Sequence, residues 1–84
     1  MFVSVQVSFY PLGEGDIRPA VDRFLSALDE RGLSYEVGAM STVVSGDIQD
    51  IFDALRSAYE RGTGAGAAVM TATVSNACPV RKNP

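Results

Sequence analysis

Few side chains in this 84-residue sequence are of types that do chemistry. It contains no histidine and a single cysteine, Cys78. Without histidine the chain lacks the commonest general base and the commonest metal ligand. No serine or cysteine therefore has a histidine partner for nucleophilic catalysis, and no group of residues has the spacing of zinc ligands. These residue types argue against an enzyme and against a bound metal or other cofactor.

Acidic side chains form the most regular array of ionisable groups. Asp47, Asp50 and Asp53 recur every three residues in a segment whose apolar residues have helical spacing. That arrangement is more typical of the solvated face of a helix than of a general acid and base that act together. We therefore expect these carboxylates to lie in solvent.

The overall composition narrows the class of protein further. Ten acidic residues against seven basic ones give a net charge of −3, which argues against a nucleic-acid partner. Hydrophobic residues make up 46% of the chain without a run long enough to span a membrane. One cysteine cannot form an internal disulfide, which favours a reducing compartment. The composition predicts a soluble cytoplasmic protein.

Alternating apolar and polar residues predict four strands. Residues 2–10 alternate with period two, and we expect this strand to end before Pro11, which cannot donate to a sheet. Two short strands are predicted within residues 34–46, joined near residues 38–41. A last strand covers residues 67–75, with Ala68, Met70, Ala72 and Val74 facing the helices.

Helical spacing of apolar residues predicts two amphipathic helices between these strands. The first is expected to begin at an Asp16 cap and to end at Gly32, where a positive φ suits glycine. The second is expected to begin at an Asp47 cap and to end at Gly62.

The element order β-α-β-β-α-β predicts an α+β fold of the ferredoxin-like type. This fold has a four-stranded antiparallel sheet with two helices on one face and with the first and third strands in the centre. Residues 1–84 are expected to form a single domain, with 76–84 as a flexible tail. A chain of this length has a thin core, so association of subunits would add to its stability.

The sheet face opposite the helices is expected to carry hydroxyls and aromatic rings instead of charges. A sheet face that only meets solvent more often carries charged residues, which protect it from association. The pattern therefore predicts a subunit interface made by Ser4, Gln6, Tyr10, Thr71 and Thr73. Cross-strand pairing of hydroxyls that only stabilises the sheet is the alternative.

Two segments resemble the small thiamine-binding protein family. Residues 7–13, Val-Ser-Phe-Tyr-Pro-Leu-Gly, resemble the turn that follows its first strand, and residues 35–47 resemble its central hairpin. The resemblance spans about residues 3–75. It implies a ferredoxin-like subunit that assembles through its sheets into homodimers or homotetramers. It also implies that a small heterocycle, thiamine or its hydroxymethylpyrimidine part, is bound without catalysis.

Four positions match the family pattern and are candidates for ligand binding: Ser8, Met40, Thr42 and Gly46. The resemblance favours Ser8 and Thr42 as the hydrogen-bonding residues, and ordinary packing in a strand is the alternative for both. An aminopyrimidine offers donors and acceptors to such groups, while a methionine or an aromatic ring can cover its flat face.

Two positions depart from the family pattern. Ser41 stands where glycine is usual, and Ser45 stands where glutamate is usual. Without an acid at position 45, recognition of a cationic ring would fall to Glu36 or Asp47, if either lies near the ligand.

Two functions of other classes remain open at this stage. The chain could be a structural or regulatory interaction module that binds no small molecule. It could also be a small oligomeric enzyme in which Glu36 works with Tyr10 or Tyr35 as the acid, although fold analogy alone suggests this.

Overall fold

Four antiparallel strands form one sheet in the computed structural model, which describes residues 1–13 and 15–77. The elements are β1 (Phe2–Leu12), α1 (Arg18–Glu30), β2 (Ser34–Val37), β3 (Thr42–Asp47), α2 (Ile48–Thr63) and β4 (Ala67–Ser75). The strand order β2-β3-β1-β4 places β1 and β3 in the centre. The predicted ferredoxin-like fold is confirmed.

The core lies between the inner face of the sheet and the two helices. Alternate residues of β1 point to opposite faces, so Val3, Val5 and Val7 are buried together on one face. Phe24 and Leu28 of α1 and the apolar stripe of α2 complete the cluster. No helix in the described part of the chain is both long and apolar enough to cross a membrane.

Strand β1 is longer than the sequence predicted. It continues through Pro11 to Leu12 because β4 pairs with it as far as Leu12, whereas β3 pairs with it only as far as Val7. Beyond Val7, β1 has a partner strand on one side only, and an edge of this kind tolerates a proline without N–H. The prediction that the strand ends before Pro11 was wrong.

Helix α1 begins one residue later than expected. Ile17 occupies the N-cap position, and the Asp16 carboxylate accepts the backbone N–H of Arg18 at 3.1 Å from just outside the helix. The Arg18 guanidinium bonds the same carboxylate and holds the pKa of Asp16 below its usual value. Gly32 follows the helix with φ +66, as predicted.

Helix α2 is capped as the sequence predicted but ends later. The Asp47 carboxylate accepts the backbone N–H of Gln49 at 3.1 Å, which confirms the N-cap. The helix runs through Gly62 to Thr63, so the prediction that Gly62 ends it was wrong. Gly64, with φ +59, follows the last turn instead.

Strand β4 has the predicted bounds but is covered over only part of its length. Ala68 and Met70 are half-buried, whereas Ala72 and Val74 are exposed although they lie opposite buried residues of β1. The expectation that all four are covered by helices was therefore wrong for the second half of this edge strand. Asn76 and Ala77 follow the strand outside any element, and the rest of the predicted tail, including Cys78, lies outside the described residues.

Candidate ligand-binding notch

A cleft of about 190 Å³, which we call the notch, lies where β1 extends past the beginning of β3. Residues 7–10 of β1 form one side, and residues 37–42, from the last residue of β2 to the first residue of β3, form the opposite side. Val21, Phe24 and Leu25 of α1 close it from the helix layer. The notch exists because the two central strands differ in length.

Two stacked aromatic rings form the apolar wall of the notch. The Phe9 and Phe24 rings have centroids 4.7 Å apart and planes inclined by 23°. The Tyr59 ring, which does not line the notch, packs against Phe9 nearly at right angles, with the two ring centroids 6.2 Å apart. A Cβ at Gly62 would lie only 2.6 Å from Cζ of Phe9, so the glycine inside α2 leaves the room that this ring occupies.

The connection between β2 and β3 is held against β1 by side-chain hydrogen bonds. Ser8 Oγ donates to the carbonyl oxygen of Met40 at 3.3 Å, and Gln6 Nε2 donates to Ser41 Oγ at 3.1 Å. The connection is closed by a hydrogen bond of 2.7 Å from the backbone N–H of Gly38 to the Ser41 carbonyl. Met40 lines the notch and is 88% exposed, so packing within the chain leaves its flexible side chain free to contact a ligand.

Apart from its aromatic wall, the notch is lined by polar groups with unused hydrogen-bonding capacity. The half-buried Thr42 hydroxyl makes no hydrogen bond within the described part of the chain. In residues 8–12 of β1, alternate backbone N–H and C=O groups point to the side on which β3 is absent. The notch thus combines an apolar wall with a few directed polar groups, as small-molecule sites do.

The notch brings together three of the four predicted ligand-binding positions. Ser8, Met40 and Thr42 all line it. Gly46 lies farther along β3, where an added Cβ would meet a methyl group of Leu33 at 3.4 Å. The structure therefore gives Gly46 a place beside core side chains and does not bring it to the other three.

Sequence reasoning missed the contribution of α1. Val21 and Leu25 appear in the sequence only as members of an amphipathic stripe, and Phe9 and Phe24 appear only as core residues. Their role in lining the notch depends on where β3 begins relative to β1, and no local sequence signal reports that position.

Neither acid considered for cation recognition lines the notch. Asp47 lies opposite Phe2, at the far end of β1, and its carboxylate bonds the N-terminal ammonium of Met1 at 3.2 Å. That ammonium and the Gln49 N–H hold the pKa of Asp47 below its usual value. Glu36 pairs with Val43 in the sheet and also lies outside the lining.

The structure does not bring Glu36 and Tyr35 together as an acid and a base. They are neighbours in β2 and therefore point to opposite faces of the sheet. The Tyr35 hydroxyl donates to a carboxylate oxygen of Asp29 at 2.7 Å, and this hydrogen bond raises the pKa of the tyrosine. In the described part of the chain no group of acidic, cysteine or histidine side chains could hold a metal ion.

The sheet surface away from the helices, which we call the outer face, carries the five residues predicted to form an interface. Cross-strand neighbours on this face are Ser4 with Ser75, Gln6 with Thr73, Ser8 with Thr71, and Tyr10 with Val69. No charged side chain interrupts the β1–β4 part of the face, and the Tyr10 side chain is 51% exposed. One hydroxyl pair, Ser4 with Ser45, lies within hydrogen-bond distance at 3.1 Å.

Comparison with known protein families shows to which family the chain belongs. The model of a family described as thiamine-binding protein matches residues 5–75. The chain belongs to the thiamine-binding protein family. The match runs from Val5 in β1 to Ser75 at the end of β4 and includes every residue that lines the notch, and the resemblance drawn from the sequence is confirmed. None of the curated proteins matches the chain.

Solved structures with the same fold come from several microorganisms. A hypothetical protein of Methanocaldococcus jannascii has a TM-score of 0.84 at 24% identity, covering 98% of this chain and 87% of its own. A domain of unknown function from Bacillus cereus has a TM-score of 0.78 at 24% identity, and the match covers 89% of this chain and 75% of that one. A Thermotoga maritima protein, whose role in thiamine biosynthesis or salvage is itself a proposal, has a TM-score of 0.76 at 22% identity, covering 88% and 82%. At these identities the likeness shows a shared fold.

Proposed function

We propose that the protein binds thiamine, or the hydroxymethylpyrimidine part of thiamine, without catalysing a reaction, and that the pyrimidine ring occupies the notch. The observation that carries the proposal is the pairing of the Phe9–Phe24 wall with the unpartnered Thr42 hydroxyl in a member of the thiamine-binding family. A flat, polar-edged ring suits such a site, since its face packs on aromatic groups while its edge exchanges hydrogen bonds.

Each side of the notch has a part in this recognition. Thr42 and the backbone of β1 bond the ring nitrogens and the amino group. Ser8 keeps the carbonyl of Met40 against β1, and its own hydroxyl oxygen remains able to accept a hydrogen bond. Met40 packs on the exposed face of the ring.

Assembly through the outer face completes the proposal. We infer that the functional form is a cytoplasmic homodimer or homotetramer in which Ser4, Gln6, Tyr10, Thr71 and Thr73 contact a second copy. The uncharged β1–β4 surface supports this contact, because a sheet face that remains in solvent usually carries charges against association. Burial of this face would also add to the small core of an 84-residue chain.

A thermal melt with added ligand tests the binding proposal. A ligand that prefers the folded state stabilises it by about 2.7 kcal/mol when present at about 100 times its Kd. We expect thiamine or hydroxymethylpyrimidine to raise the melting temperature, and uracil, which lacks the amino group and both carbon substituents, to raise it less. A well-folded sample whose melting temperature is unchanged by millimolar concentrations of both ligands would overturn the proposal.

The outer face also favours a second candidate function, an interaction module that binds no small molecule. This function predicts the same assembly but no response to either ligand. Measuring the assembly state and the ligand-induced shift on one sample therefore separates the two functions.

A further inference from the structure

We propose that the binding site is complete only in the assembled protein, because the notch opens onto the outer face and a second copy on that face covers its mouth. This inference rests on the proposed function and adds to it a dependence of ligand binding on assembly. Tyr10 links the two surfaces, since it lines the notch and also belongs to the five residues proposed for the subunit contact. The oligomer, and not the single subunit, is then the unit that binds ligand.

The notch passes through the layer of the sheet. Strand β3 pairs with β1 only as far as Val7, so the layer has a gap beside the rest of β1. Consecutive side chains of a strand point to opposite faces, so Phe9 points to the helices whereas Ser8 and Tyr10 point to the outer face. All of these residues line the notch, which therefore reaches from the helix layer to the outer face.

The single subunit closes only one end of this passage. At the helix end, α1 contributes the buried Phe24 and the half-buried Val21 and Leu25. At the outer end, Tyr10 and Met40 are exposed. Small-molecule sites bury most of the surface of their ligand, whereas here the outer side of a bound molecule would remain in water. A covering surface has to come from outside the subunit.

Exposed apolar side chains surround the mouth of the notch and suit a second copy as the cover. Val69 is the cross-strand neighbour of Tyr10, and Val43 lies across β1 from it on the same face; both valines are exposed. Glu36 lies beside Val43 on the edge strand β2, at the periphery of the face. Two copies related by a two-fold axis present the same patch to each other, and an uncharged apolar patch can face its own copy without repulsion.

The outer face also holds one wall of the notch in place. Gln6 and Ser8 point outward from β1 and donate to Ser41 Oγ and to the Met40 carbonyl, at 3.1 and 3.3 Å. Both hydrogen bonds are exposed in the single subunit, where water competes for the same groups. A second copy that excludes water from them would fix the connection between β2 and β3, so assembly preorganises the site as well as covering it.

Assembly and ligand binding are then coupled in both directions. If assembly raises the affinity of each site by a given factor, bound ligand must stabilise the assembly by the same factor for each site. For a dimer with two sites, an effect of about tenfold at each site corresponds to a dissociation constant of the subunits that is about a hundredfold lower when ligand is saturating.

Dilution of the unmodified protein tests the inference directly. Thiamine and hydroxymethylpyrimidine are each titrated at protein concentrations above and below the midpoint of subunit dissociation, which analytical ultracentrifugation locates. We expect the affinity for the ligand to fall at least about tenfold as the subunits separate, because one side of the bound ring becomes exposed to water. We also expect saturating ligand to move the midpoint to a lower protein concentration.

A variant that separates the subunits gives an independent test. Ser4→Lys adds a charge to the outer face four residues along β1 from Ser8, about 14 Å away and outside the lining of the notch. We expect a monomer with an unchanged circular dichroism spectrum that binds the ligand at least about tenfold more weakly. The control Ser26→Lys adds the same charge at an exposed position of α1 and should keep both the mass and the affinity.

The outcomes separate this inference from the proposed function. If monomeric subunits, obtained by dilution or by Ser4→Lys, bind the ligand as tightly as the oligomer does, the inference is wrong and the binding proposal stands. An equal loss of affinity in Ser4→Lys and Ser26→Lys would also contradict the inference, since it would show a general effect of charge. If the oligomer binds neither compound, the proposed function fails and the inference fails with it.

Discussion

Phe9 shows how a single residue links the core to the candidate site. Its ring stacks on Phe24 and lies against Gly62, so interior packing fixes its position. The same ring lines the notch, where a rigid aromatic surface lowers the entropy that ligand binding costs. Stability and the proposed binding therefore depend on one side chain.

The Thr42 hydroxyl provides the sharpest test at the residue scale. Thr42→Val keeps the β-branched shape and removes a group that the proposal places on the pyrimidine. A typical hydrogen bond contributes about 1 kcal/mol, so we expect the affinity to fall about fivefold, measured by calorimetry or by the ligand-induced melting shift.

Thr73→Val is the matched control for this substitution. It makes the same chemical change on the outer face, opposite Gln6 and outside the notch. Equal losses of affinity in the two variants would contradict a direct role for Thr42. Ser8→Val should also weaken binding, because it removes the hydrogen bond to the Met40 carbonyl.

At the scale of elements, the unequal lengths of β1 and β3 create the notch. Strand β4 supports β1 as far as Leu12, and α1 covers the exposed end from the helix layer. A pair of strands of equal length would have filled this space with a ladder of hydrogen bonds. The overhang therefore leaves backbone donors and acceptors available to a ligand.

Gly62→Ala tests the packing of α2 against β1. The added methyl group would lie 2.6 Å from Cζ of Phe9, so the ring must move. Overpacking of this kind costs about 1–3 kcal/mol, and we expect a lower free energy of unfolding in denaturant together with weaker ligand binding.

Gly66→Ala is the control, since the nearest atom to its added Cβ would be 3.6 Å away. Its free energy of unfolding should stay within about 0.5 kcal/mol of the original, as for most surface substitutions. If Gly62→Ala proved as stable as Gly66→Ala, the close packing of Phe9 on α2 would be contradicted.

The cap of α2 predicts a dependence of stability on pH. The Met1 ammonium and the Gln49 N–H lower the pKa of Asp47 in the folded state from its ordinary value of 3.8. Because the folded pKa is the lower one, the stabilisation is fully present above that ordinary value and is lost as the pH falls through the folded pKa.

We therefore expect Asp47→Asn to lower the melting temperature at neutral pH, with a difference that shrinks in acid below about pH 4. Asp53→Asn, which changes an exposed acid within the same helix, serves as the comparison. A difference for Asp47→Asn that stayed constant between pH 7 and pH 2 would count against the ion pair and the carboxylate cap.

At the scale of the whole molecule, assembly through the outer face can be tested by adding charge. We expect Thr73→Lys to dissociate the oligomer, because its ammonium would have to be buried without a partner at the contact. Size-exclusion chromatography with light scattering measures the mass directly, and the same variant should keep its helical and strand content by circular dichroism.

Ser26→Lys, an exposed position on α1, adds the same charge on the opposite side of the molecule and should leave the mass unchanged. If Thr73→Lys remained oligomeric, the interface would have to lie on another surface of the molecule. If the unmodified protein were itself monomeric, the proposed assembly would be wrong.

Local signals in the sequence determined the order of the elements, the inward face of β1, the Asp47 cap and the bounds of β4. Each of these follows from periodicity or from a hydrogen bond within a few residues along the chain. The absence of histidine and the family resemblance pointed to binding and not to catalysis, and the family is now shown.

Only the tertiary structure decided that Ser8, Met40 and Thr42 share a notch with Phe24 and that Gly46 does not. It also decided that Gly62 belongs inside α2. These features depend on the register and relative length of strands far apart in sequence and on which ring meets which backbone. The alternation of residues along one strand carries no information about where its neighbour begins, so the candidate site required the fold.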